Sequence, residues 1–257
     1  FLYVQSEKQW ARYILLAAAG FSVLCLIGTG SRGGLIGFAA MMAWVWLKSR
    51  KKIMLVALGL VAGGVLLATL SEKRLESWTG RMETIQEASD DKTSNQRFDA
   101  WVWTIQFVNQ RPILGGGFGA FRAHVVEMSE DRTKSLLAHS NYFQVLGEHG
   151  YVGLVLYLAL CIASFRAASK IFRIARDRPD MRYERDMAFM IQTMLVGYFV
   201  GGATITHTYY ELFYVLIGIT RVLRAQVDEK LAVQATKSPG KLDLDHLPSN
   251  HHARQPG

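Results

Sequence analysis

The chain has 257 residues, half of them hydrophobic and only 19% charged, with a mean hydropathy of +0.13. That is too apolar for a water-soluble domain with a charged shell, so a soluble enzyme is excluded. The formal charge of +8 does not describe a nucleic-acid groove, because the charges lie between long uncharged stretches and mark their ends.

The opening Phe1-Leu2-Tyr3-Val4 has neither an initiator Met nor a signal-peptide pattern. It reads as the tail of an earlier apolar span, and the chain as the C-terminal portion of a longer membrane protein. Residues 13–30 run for 18 positions without a charge, enough for one transmembrane helix. Residues 33–47 supply only 15, about 22 Å of helix against a hydrocarbon core of about 30 Å. Ser31-Arg32-Gly33-Gly34 is therefore expected to turn tightly at membrane depth. Lys48, Arg50, Lys51 and Lys52 place the end of this second span in the cytoplasm by the positive-inside rule. Residues 53–71 cross out and 150–165 cross back in. The basic loop from Arg166 to Arg185 is expected in the cytoplasm. Residues 187–206 cross out, and 212–220, extended by Tyr209 and Tyr210, return to the anchors Arg221 and Arg224. The inner segments 1–12, 48–52, 166–186 and 221–257 carry +1, +4, +3 and +2, whereas the outer segment 71–149 carries nine basic and eleven acidic residues. Six alternating spans agree with that charge pattern throughout.

Residues 71–149 form the one large extracytoplasmic segment. Leu75, Trp78, Met82 and Ile85 recur at helical spacing, as do Phe98, Trp101, Ile105 and Val108, which predicts two amphipathic helices at the membrane surface, the second capped by Asn95. The expected fold is all-α: a polytopic membrane bundle of about six transmembrane helices with one large extracytoplasmic helical segment. It divides into three N-terminal spans with their preceding cytoplasmic segment (1–70), the extracytoplasmic segment (71–149), three C-terminal spans (150–224) and a disordered cytoplasmic tail (225–257). Gly30/Gly34, Gly33/Gly37, Gly59/Gly63 and Gly197/Gly201 are small-xxx-small pairs, expected to serve helix packing. Cys25 and Cys161 read as buried small hydrophobes, not a disulfide.

Candidate chemistry begins at Arg32. An arginine between two apolar spans costs roughly 2.5–3.5 kcal/mol at a helix centre; the alternative to a functional role is a snorkelling interfacial charge. The flanking glycines favour function, because they open the backbone to a bound group. Ser31 is no hydrolase nucleophile, since Thr29 stands where Gly-x-Ser-x-Gly needs its first glycine. Arg97 begins the second amphipathic helix, and a guanidinium fork suits phosphate oxygens. Together Arg32 and Arg97 are suited to hold a diphosphate without a metal. His139 has the chemistry of a base toward a hydroxyl; a surface histidine at a helix start is its other reading. Glu148 and Glu211 are the acidic runners-up. No His-Glu-x-x-His spacing is present, and neither metal nor cofactor is expected. Gly115-Gly116-Gly117-Phe118-Gly119 lacks the preceding strand and Lys-Ser/Thr ending of a phosphate loop. With Pro112 it is expected to form an irregular re-entrant turn.

Thr29-Gly-Ser-Arg-Gly-Gly, Arg97 with Trp101, Pro112-Ile-Leu-Gly-Gly-Gly-Phe-Gly, Ala138-His-Ser-Asn-Tyr-Phe and Gly147-Glu-His-Gly-Tyr-Val-Gly-Leu follow one another in order. The set resembles the O-antigen ligase and polymerase superfamily of bacterial inner membranes, over about residues 13–224. The Gly-Gly-Gly-Phe and Gly-Glu-His-Gly runs look closest to the O-glycosylation ligases associated with exosortase systems. The resemblance implies a metal-independent, GT-C-like glycosyltransferase of the all-helical membrane type. It would move a glycan from undecaprenyl diphosphate to a glycan, lipid or protein hydroxyl at the periplasmic face of the inner membrane. It implies His139 as base, Arg32 and Arg97 as diphosphate ligands, and Ser31, Gly33, Tyr142 and Glu148 as further substrate-binding positions. The partners are then the lipid-linked donor, the acceptor and the bilayer, not nucleic acid. A lipid-linked glycan polymerase is the nearest alternative, and a transporter or flippase anchored on Arg32 the third.

Overall fold

The computed structural model describes residues 5–29, 31–49, 52, 92–119 and 138–237. Its regular elements are α1 (Gln9–Gly28), α2 (Arg32–Lys48), α3 (Lys92–Gln110), α4 (Asn141–Ala175), a 3-10 turn at Pro179–Met181, α5 (Arg182–Gly201) and α6 (Glu211–Lys237). The described residues are thus all-α, as expected. The expected span at 53–71, the helix around Leu75–Ile85 and the Gly59/Gly63 pair lie outside them. Of the described helices, α1 and α4 are long and apolar enough to cross a membrane. With 17 residues, α2 is too short by that measure, and α5 opens on the charged run Arg182-Tyr183-Glu184-Arg185-Asp186.

Helix α1 buries none of its residues. Trp10, Tyr13, Ile14, Phe21 and Leu24 all project outward, as they would toward lipid. It ends where Thr29 turns its amide back to the Cys25 carbonyl at 2.9 Å. Ser31 then caps α2, its Oγ accepting the Gly34 amide at 3.2 Å. This is the ordinary task of serine at a helix start.

Two of the small-residue pairs, Gly33/Gly37 and Gly197/Gly201, do what their spacing predicts; Gly30 lies outside the described residues. Gly33 and Gly37 are buried on α2, against Gly197 and Gly201 on α5. A methyl on Gly37 would lie 3.2 Å from the Gly197 carbonyl oxygen and 3.3 Å from the Gly201 Cα, while one on Gly197 would strike Met41 at 2.5 Å. Backbone meets backbone, the packing that substitutes for hydrophobic force inside lipid. Gly37→Leu should therefore destabilise the detergent-solubilised protein by about 1–3 kcal/mol through overpacking. Gly20, with nothing within 4 Å of its would-be Cβ, should accept alanine without lowering the thermal unfolding midpoint.

The core lies among α4, α5 and α6, where Ile171, Ile191, Leu195, Phe213 and Val227 are fully buried. Tyr198 stacks on Phe213 with centroids 4.8 Å apart. Helix α6 continues to Lys237, so 225–237 is ordered helix and not the expected disordered tail; 238–257 lie outside the described residues. Polar pairs explain the extension. Arg224 bridges Asp228 one turn on at 2.7 Å, Lys230 reaches the buried Glu184 at 2.6 Å, and Gln234 donates to Asp180 at 2.6 Å. Helix α4 likewise runs through Ala175, so the basic loop begins ten residues later than Arg166.

Helix α3 packs on the first half of α4 with only part of the predicted face, Trp101 and Val108. Ala100, Thr104, Phe107 and Val108 are buried, whereas Phe98 and Ile105 point outward. Small Ala100 and Thr104 allow close approach, with the Thr104 hydroxyl satisfied by the Ala100 carbonyl at 2.6 Å. Asn95, the expected cap, falls inside a helix already formed at Lys92.

At Gly150 (φ 66, ψ −167) α4 breaks into two helices. The turn 111–119 docks into this break: Tyr151 donates to the Pro112 carbonyl at 2.8 Å, Gly116 to Gly147 at 3.0 Å and Gly117 to Glu148 at 2.8 Å. The glycine run thus uses its amides on the α4 backbone, which is why it is no phosphate loop.

Candidate active site

The start of α4, the first half of α3 and the connection 202–210 between α5 and α6 converge at one end of the bundle. Ala138 to Asn141 form the junction. Ala138 is buried, and its carbonyl accepts the Trp101 indole N–H at 2.7 Å. The Trp101 ring stacks on Phe143 at 4.9 Å and 5°. Between these fixed neighbours His139 adopts φ 45, left-handed backbone that a non-glycine residue holds only when its surroundings impose it, at about 1–3 kcal/mol.

Arg97 lies one turn before Trp101, on the same face of α3. Partial burial, and then the positive field of Arg97, hold the His139 pKa below its ordinary 6.5. Both effects disfavour an imidazolium, so at neutral pH the ring is an uncharged acceptor. Among the described residues the buried Nε of Arg97 has no hydrogen-bond partner. A buried donor without an acceptor costs about 1–3 kcal/mol, and an anion at this point would satisfy it.

Asn141 ties the junction to the α5–α6 connection. Its amide donates to Gly202 at 2.7 Å, and its side-chain oxygen accepts the His207 amide. The Thr208 hydroxyl donates to its carbonyl at 3.3 Å. The same connection meets the start of α2: a methyl on Gly33 would lie 2.5 Å from the Thr204 Oγ1 and 2.7 Å from Ile205. The structure therefore brings Arg97 and His139 together. It brings the α2 terminus bearing Arg32, with the positive end of its helix dipole, onto the loop that Asn141 holds. Gly33 has no room for a side chain in this close packing.

The remaining expected positions have local partners. Ser31 caps α2. The Tyr142 hydroxyl donates to the Phe199 carbonyl at 2.8 Å, inside the bundle. Glu148 is buried, accepting the Gly119 amide on Oε1 at 3.1 Å and the Tyr209 hydroxyl on Oε2. Burial, with the Glu148 carboxylate next, pushes the Tyr209 phenol well above its usual value, so it remains a proton donor. Glu211, the other acidic runner-up, opens α6. Among the described residues, no three His, Cys, Asp or Glu side chains are grouped to hold a metal ion.

Sequence reasoning missed Asn141 as the tie and read Tyr209 as part of a span. The signal available was the polar run Thr204-Ile-Thr-His-Thr-Tyr-Tyr-Glu, too rich in hydroxyls for a lipid-facing segment.

A protein-family model described as O-antigen ligase matches residues 17–158, more than half of the chain and the region that holds Arg32, Arg97, His139 and Glu148. No curated protein and no solved structure matches the chain.

Proposed function

We propose, for a chain that belongs to the O-antigen ligase family, that the junction of α3 and α4 is the transfer site for a lipid-linked glycan. Family membership makes this a membrane-associated glycosyltransferase of ligase or polymerase type. The finer reading is a ligase whose donor is a glycan on undecaprenyl diphosphate, acting at the periplasmic face of the inner membrane. The observation that carries it is the pairing of Arg97, with its unsatisfied buried Nε, with His139, whose pKa is lowered.

Arg97 and Arg32 hold the diphosphate. His139 takes the proton from the acceptor hydroxyl as its oxygen bonds to the anomeric carbon. The bond from that carbon to the diphosphate breaks, and its electron pair goes to the departing phosphate oxygen. Guanidinium donors at that oxygen stabilise the developing charge. One displacement gives a product of inverted configuration.

The test is transfer by full-length protein in proteoliposomes, supplied with undecaprenyl-diphosphate glycan and candidate hydroxyl acceptors across a pH series. Because the His139 pKa lies below 6.5, the neutral base persists as pH falls through 6.5. The acid limb of kcat/KM is then expected below that point. Removing the imidazole by His139→Ala should cut turnover about 10²–10⁴-fold with donor binding retained. Unchanged turnover in that variant, or a product of retained configuration, would overturn the mechanism.

A further inference from the structure

At the break in α4, ten residues beyond His139, a second histidine is held in a defined way. His149 Nε2 lies 2.9 Å from the Tyr209 Oη, and the Tyr209 hydroxyl also contacts Glu148 Oε2. A phenol has one proton to donate. The Glu148 carboxylate, already accepting the Gly119 amide on its other oxygen, is an acceptor and takes that proton in hydrogen bonding. Nε2 of His149 must therefore be the donor to Tyr209. In a neutral imidazole that leaves Nδ1 as the atom with the lone pair.

Among the described residues no group donates to Nδ1, and His149 is partly exposed. Beside it stand two accessible rings. Phe118 is 77% exposed and meets His149 edge-on with centroids at 4.6 Å; its ring lies 5.4 Å from that of Tyr209. An acceptor nitrogen on a histidine beside exposed aromatic rings suits a molecule with hydroxyls on its edges and C–H groups on its faces.

We infer that His149, fixed as the Nε2–H tautomer by the Tyr209–Glu148 pair, is a positioning residue that orients an incoming hydroxyl-bearing acceptor through Nδ1, with Phe118 and Tyr209 as its flanking surface. This rests on the transferase reading above. Segment 207–210 joins the two places, since its His207 amide reaches Asn141 while Tyr209 reaches Glu148 and His149. An acceptor held at His149 is thus positioned by the same segment that is tied to the His139 junction.

Two measurements on full-length protein test it. His149→Gln retains a donor where Nε2 stood but has no ring nitrogen at Nδ1. In the transfer assay its acceptor KM should rise about tenfold while donor KM and kcat stay near wild type. A change in kcat alone, or no change at all, would overturn the assignment. The second readout needs no activity: nitrogen-15 spectra of histidine-labelled protein, with the His149 signal identified by its loss in His149→Gln. The expected signature is protonated Nε2 and bare Nδ1, redistributed by Tyr209→Phe. A signal showing the proton on Nδ1 would refute the proposal even if transfer occurs. Absence of transfer by wild type with the expected tautomer intact would count against the transferase reading, and so against an acceptor role for His149, while leaving the hydrogen-bond chain established.

Discussion

Arg97→Ala should reduce kcat/KM for glycan transfer about 10²–10³-fold, the usual cost of removing one preorganised donor from a developing negative charge. The fold gives reason to expect that the variant still inserts and folds. The contacts that fasten α3 to α4 come from other side chains on the same face: Trp101 to the Ala138 carbonyl, Trp101 stacked on Phe143, and buried Phe107 and Val108 against Leu146. The Arg97 Nε makes no hydrogen bond within the described residues, so its loss breaks none there. Arg97→Lys retains charge but offers a point ammonium in place of a planar fork, and should recover only a minor part of the rate.

A second, independent signature accompanies the first. Arg97 is one of two causes that lower the His139 pKa, behind burial. Without the charge, that pKa should rise partway toward 6.5, and the acid limb of the residual activity should move to higher pH. In Arg97→Lys the limb should stay near its wild-type position. A rate loss with no movement of the limb in Arg97→Ala would mean that the arginine does not sense His139. Transfer within about threefold of wild type, too small to reflect a lost charge-assisted contact, would remove it from the site altogether.

Much of the candidate site's geometry was legible because arginine and histidine in short motifs declare themselves wherever they fall. Arg97-x-x-x-Trp101 and Ala138-His139-Ser140-Asn141 were read as separate signals, and the fold closes one on the other through the Trp101–Ala138 bond. The glycine pairs were legible for a similar reason, since spacing by four dictates a shared face. Other features were hidden because they depend on what a neighbour supplies. The buried face of α3 is carried by Ala100 and Thr104, which contribute little to a hydrophobic period yet set how closely α4 approaches. Tyr209 counted as the margin of an apolar span; only the position of Glu148 on a different helix makes it a donor. Residues 225–237 have the polarity of a free tail, and partners at Asp180 and Glu184 hold them as helix.

The least legible feature is also the one whose change should do most damage. Gly150 sits in an apolar run where glycine is unremarkable for a membrane helix, yet its φ of 66 with ψ −167 belongs to backbone space that is essentially reserved for glycine. Gly150→Ala faces two penalties at once. Strain accounts for about 1–3 kcal/mol. The new methyl would also stand 2.5 Å from the Ile113 carbonyl oxygen and 2.7 Å from that of Pro112, both backbone atoms that no side-chain rotation can move. Gly115 leans on the same spot, its own would-be Cβ 2.6 Å from the Gly150 nitrogen, so neither partner is able to retreat. The turn 111–119 must then lift from the break, withdrawing Gly119 from Glu148 and, through it, loosening Tyr209 and His149. Gly117→Ala supplies the comparison: it shares a positive φ of 85 but has nothing within 4 Å, so it incurs strain alone and should remain folded and active. Gly150→Ala should instead lose transfer and unfold in detergent at a clearly lower temperature than Gly117→Ala. If the two variants prove equally stable, the turn does not bear on the break in α4, and the coupling of the glycine run to Glu148 fails with it.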